Sequence, residues 1–105
     1  MTELKISRKL AEAMGYELDG RSFDDVIGVY KNASNRVPRY FRPHRDMSDA
    51  WEVAERFGLD SISRNATEGT WTAAFDTDGG LIVQTEKTAP LAICFAALKV
   101  IDHGS

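Results

Sequence analysis

Between Asp25 and Asp46 the chain carries no acidic residue, and in that interval stand Lys31, Arg36, Arg39, Arg42 and Arg45, with Tyr40 and Phe41 among the arginines. Arginine forks bind phosphate or carboxylate through two parallel hydrogen bonds, and aromatic rings beside them stack on a base or fill a pocket of a partner. His44 in the same stretch reads as a further surface contact rather than a general base. Arg36, Arg39, Tyr40, Arg42, His44 and Arg45 are therefore the candidate partner-binding set. In an extended segment alternate side chains face opposite ways, so the four arginines do not share one face of a straight strand. The competing reading is a solvated loop that balances acidic helices nearby.

The remaining reactive side chains do not converge. Asp76 and Asp78 invite comparison with a calcium loop, but Gly80 stands at the third acidic position and Lys87 where the bidentate glutamate belongs. Asp24 and Asp25 are adjacent, a spacing that sends two carboxylates in different directions. His44 and His103 share no ligand spacing, and Cys94, the single cysteine, lies in an apolar run where a thiol acts as a small hydrophobe. Phosphate-cradling glycine loops and nucleophile elbows are absent from the sequence. Neither a metal set nor a cofactor motif is expected, and the reading is of a binding protein, not an enzyme.

The elements that must hold these residues follow from pattern. Ile6, Leu10, Ala13 and Met14 fall at helical spacing after Thr2, and Gly15 ends that helix. Residues 16–25 read as a polar connection with a turn at Gly20, and Val26–Tyr30 as a short strand. Pro38 and Pro43 exclude a continuous helix from the basic segment. Asp46 caps a second helix with an apolar stripe of Met47, Ala50, Trp51, Ala54 and Phe57, closed by Gly58. Leu59–Arg64 reads as a short strand. Thr70–Asp76 and Gly80–Thr85 read as a hairpin about a glycine turn, with Trp71 and Phe75 on its helix-facing side. Thr88 caps a last helix, Thr88 to Asp102, apolar nearly all round and so the most buried element. Trp51 and Trp71 read as core anchors.

With 105 residues there is room for one core, and residues 1–105 are read as a single domain. A net charge of −3 excludes a protein that coats nucleic acid over its whole surface. One cysteine excludes an internal disulfide framework. The N-terminal residues lack a signal-peptide pattern, and the longest apolar run, Ala89 to Val100, is too short to span a bilayer, so a cytoplasmic protein without membrane partners is expected. The element order fits an α+β fold, a small mainly antiparallel sheet sandwiched by helices.

Two stretches resemble a known family. Asp46-Met47-Ser48-Asp49-Ala50-Trp51-Glu52-Val53 resembles the D-x-x-x-A-W-E-V signature of the phage ABA sandwich domain, and Thr88-Ala89-Pro90-Leu91-Ala92-Ile93-Cys94 resembles its T-A-P-L-A-I-C signature. Between the first and second helices the chain departs from that family, which has a Pro-Tyr-Ser-Thr-like approach where Pro38 to Arg45 stand here. The resemblance implies a helix/sheet/helix sandwich encoded by phages or prophages, and no reaction. Three functions fit it. The first is an accessory protein in the host cytosol that binds and blocks a host protein, part of a defence system such as a CRISPR-Cas complex. The second is a nucleotide or nucleic-acid binder that uses the Arg36–Arg45 loop. The third is a structural phage component.

Overall fold

A computed structural model describes residues 3–23, 26–31 and 38–103. The chain runs α1 (Glu3–Ala13), β1 (Glu17–Phe23), β2 (Val26–Tyr30), β3 (Pro38–Phe41), α2 (Met47–Phe57), β4 (Leu59–Asn65), β5 (Thr70–Thr77), β6 (Gly80–Glu86) and α3 (Ala89–His103). The strands form two antiparallel three-stranded sheets, β1-β2-β3 and β4-β5-β6, each in sequence order. The fold is the expected α+β sandwich, with its strands divided between two sheets.

Helix ends close as the sequence dictates. At the end of α1, Tyr16 N–H donates to Ala11 O at 2.9 Å and Gly15 N–H to Glu12 O at 3.1 Å. This paired closure needs a left-handed residue, and Gly15 supplies it with φ 77°. Asp46 caps α2 by accepting from Ser48 N at 2.9 Å and Asp49 N at 3.3 Å. Gly58, φ 79°, turns the chain from α2 straight into β4. Thr88 Oγ1 accepts from Leu91 N at 3.3 Å to start α3.

Both sheets are anchored on helices. α1 packs on β1 and β2, while α3 touches all three strands of the second sheet and both other helices. Ala92, Ile93, Cys94, Ala96, Ala97 and Leu98 of α3 are buried. Three alanines there let neighbouring elements approach its backbone closely. One cluster joins them to Ile6 and Leu10, to Ile27, Val29 and Phe41 of the first sheet, to Val53 of α2, and to Ala73 and Phe75 of β5. The expected hairpin is present, with Trp71, Ala73 and Phe75 facing Glu86, Gln84 and Ile82 in register. Phe75 is buried and Trp71 partly so.

Two segments differ from the sequence reading. Residues 17–23, read as a polar connection, form β1, an edge strand made by the pairing of its backbone with β2. Gly20 lies inside the interval Leu18–Ser22 where that register shifts, so the expected turn is an irregularity within a strand. Pro38 opens β3, and the first residue of an edge strand is a position where proline is tolerated. The α2 stripe is also displaced: Asp49, Ala50, Val53 and Ala54 are its buried residues, while Met47 and Trp51 are exposed. Trp51 is thus no core anchor. With Val53 and the small Ala50 and Ala54 facing α3, the core contact lies on one side of the helix and Trp51 falls beyond its margin.

Candidate functional site

The arginine–aromatic segment is held over the N-terminus of α2 by a polar cluster that begins with strand parity. Ile27 and Val29 are buried on one face of β2, and Lys31, the bend residue that follows the strand, continues that alternation and turns inward. Its Nζ lies 2.7 Å from Glu52 Oε2 and 3.2 Å from Asp49 Oδ1. The ammonium also sits 5.8 Å from the Tyr16 ring centre and 5.5 Å from that of Phe41. Those rings meet edge to face at 5.5 Å. Tyr16 Oη donates to Glu52 Oε2 at 3.2 Å, and Arg42 N–H donates to Asp49 Oδ2 at 3.0 Å. One buried carboxylate therefore ties β2, the end of β3 and the first turn of α2 together.

The chemistry of this cluster is that of a fastening. Lys31 pairs with two carboxylates. Burial, then the charge and hydrogen bond of Glu52, push the Tyr16 phenol up to about 12, so it stays protonated at neutral pH. The carboxylates are engaged by Lys31, by the Tyr16 hydroxyl and by the Arg42 amide, which joins three segments of the chain. Among the described residues, no group of three or more histidine, cysteine or acidic side chains is placed to hold a metal ion.

The candidate partner-binding residues separate on this frame. Tyr40, on the edge strand β3, is 60% exposed, and Arg39 beside it is exposed. Phe41, next in sequence, points to the opposite face and is fully buried, so the strand shows one aromatic outward and plants the other. Arg42 and Arg45 are exposed where the chain turns into α2, and Arg42 Nε reaches Asp46 Oδ2 at 3.5 Å. Arg36 lies outside the described residues, as do Asp24 and Asp25. His44 corrects the sequence reading: it is only 3% exposed, with Nδ1 3.2 Å from the buried Ser7 Oγ. The turn over residues 43–45 folds it, with Pro43, beneath the loop, where it joins the loop to α1.

Sequence reasoning did not find the Lys31–Asp49–Glu52–Tyr16 cluster. Its signals were present, in the parity of Lys31 with Val29 and in the spacing that places Asp49 and Glu52 on one side of α2. The 18-residue separation from Lys31 to Asp49 becomes a contact only when sheet and helix pack. Cys94 lies in the core, and burial followed by the charge of Asp49 raises its thiol pKa, which leaves it inert at neutral pH.

Comparison with known proteins bears on fold and origin. Residues 6–98 match the family model described as the phage ABA sandwich domain. Among solved structures, the chain is similar to the crystal structure of a phage protein from Bacillus cereus ATCC 14579, with 24% identity and a TM-score of 0.72 over 97% of this chain and 89% of that one. Among curated proteins, none matches. No helix among the described residues is long and apolar enough to cross a membrane.

Proposed function

The chain belongs to the phage ABA sandwich domain family, and from that premise we propose that it is a phage- or prophage-encoded accessory protein that binds a host protein in the cytosol without catalysing a reaction, acting as an antagonist of a host defence complex such as a CRISPR-Cas effector. The observation that carries the binding reading is Tyr40: an aromatic ring more than half exposed on an edge strand, flanked by Arg39 and Arg42, on backbone pinned from below by Asp49. Exposed aromatics and arginines on a rigid support are the residue types that dominate protein interfaces, because rings bury much area at little loss of side-chain freedom and the guanidinium forks make several hydrogen bonds at once. The choice of a defence complex rests on the phage family. The Lys31–Asp49–Glu52 ion pairs and the buried Ser7–His44 pair are engaged in holding the fold, which supports a reading of binding.

The test is phage plating on a host whose CRISPR-Cas immunity targets that phage. Expression of the wild-type chain should raise plating by orders of magnitude, and the Tyr40→Ala, Arg39→Ser, Arg42→Ser variant should lose the effect while keeping its circular dichroism spectrum. Unchanged plating with the wild-type chain would remove the defence reading, and full activity of the variant would remove the site. A second reading, a nucleotide or nucleic-acid binder, is favoured by the same exposed Tyr40 ring among arginines, which could stack a base. Its signature is an affinity for single-stranded DNA or RNA that falls steeply with salt, as phosphate contacts release counterions.

A further inference from the structure

On the other flank of α2 the chain leaves an indole in solvent. Trp51 is 46% exposed, and one turn earlier Met47 is exposed on the same side. Trp51, Ala54, Glu55, Gly58 and Leu59 line an open groove of about 240 Å³ where α2 turns into β4. Gly58 is held there as the left-handed cap, and nothing lies within 4 Å of where a Cβ on it would stand, so the space above the turn is open. Ala54 and Leu59 give an apolar floor, and the exposed Glu55 gives the groove an acidic lining residue.

We propose that this groove is a docking site for an arginine side chain of a protein partner, separate from the Tyr40 surface. An indole face attracts a cation through its ring quadrupole, and a carboxylate one helical turn away supplies the counter-charge. Of the two basic side chains, arginine suits the pair better, because its flat guanidinium stacks on the ring and still forks to a carboxylate. The molecule uses half of this arrangement itself: Arg64 lies 5.8 Å from the Trp71 ring centre on the neighbouring sheet. Among the described residues, Glu55 is the only charged side chain lining the groove, and its charge complements a cation seated on the Trp51 ring. This site stands independently of the Tyr40 reading, since neither depends on the other's residues.

The experiment is a two-dimensional NMR titration of the intact chain, following the indole N–H cross-peaks of Trp51 and Trp71 and the amide of Gly58. The probe is a capped glycine-spaced peptide with two arginines, compared with its citrulline analogue, which keeps shape and removes charge. The expected result is a saturable shift of the Trp51 and Gly58 signals, with Trp71 unmoved, and binding at least about tenfold weaker for the citrulline peptide. Glu55→Gln should weaken arginine-peptide binding about threefold or more, and Trp51→Leu should abolish the Gly58 shift while the remaining spectrum keeps its dispersion. Equal shifts with the citrulline peptide, an undiminished Gly58 shift in Trp51→Leu, or no saturable shift up to roughly 10 mM peptide would each overturn the proposal.

Discussion

Removing the charge of Asp49 tests whether the cluster beneath the arginine loop fastens the fold. The Asp49 side chain is 12% exposed and accepts from Lys31 Nζ at 3.2 Å and from Arg42 N–H at 3.0 Å. At 3.2 Å, and with an effective dielectric constant of about 20, the bare attraction of the pair is about 5 kcal/mol, from which the desolvation of two charges must be subtracted. Hydrogen bonds to charged groups retain about 1.5–3 kcal/mol after that exchange. Lys31 keeps Glu52 when Asp49 is changed, and the Glu52 side chain is 42% exposed, so the full cost of breaking a buried pair is not reached. Asp49→Asn preserves an acceptor for Arg42 N–H and isolates the charge; Lys31→Met preserves the stem beside Tyr16 and Phe41. Each single change should therefore cost about 2–3 kcal/mol, and the double-mutant cycle should give a coupling of about 1.5–3 kcal/mol. Guanidinium melts of the four proteins measure it, with the slope unchanged across the set. A coupling below about 0.5 kcal/mol is the value of a solvated surface pair, and would refute the view that this pair anchors the loop.

Three further outcomes are expected. Leu98, 4% exposed on α3, should cost about 2–5 kcal/mol on change to alanine in denaturant melts, and a cost under about 1 kcal/mol would place it outside the core. Cys94 should resist a thiol reagent such as 5,5′-dithiobis(2-nitrobenzoate) at pH 8 until the chain unfolds, with labelling that follows the denaturation curve; rapid labelling of the native protein would contradict its burial. Tyr16 loses its proton later in the folded state, with a pKa of about 12, than its ordinary 10, so its contribution to stability is complete below pH 10 and is lost as pH rises from 10 to about 12. The stability difference between wild type and Tyr16→Phe should shrink over that window, and a difference independent of pH would show that the phenol is not held as described.

How much of this was legible depended on the range of the interactions. Caps, breakers and periodicity are local, so α1, α2 and α3 and the β5–β6 hairpin could be read from the residues that form them. β1 could not, because ELDGRSF has little strand propensity and is a strand only through pairing with β2. The exposed arginines and Tyr40 of the candidate surface were readable as residue types, but not their division: strand parity buries Phe41 and exposes Tyr40, and the turn before α2 folds His44 under the loop.

Sequence alone determined the α+β class through the order of its patterned segments, the helix boundaries through caps and breakers a few residues apart, and the concentration of positive charge before α2. Tertiary packing decided the rest. It turned Lys31 from a member of the basic segment into the partner of Asp49 and Glu52, and it left Trp51 in solvent although its helical spacing marked it for the core. The physical reason is the same in both cases. Which side of an element is buried is settled by what packs against it, and α3, far along the chain, packs on the face of α2 that carries Ala50, Val53 and Ala54.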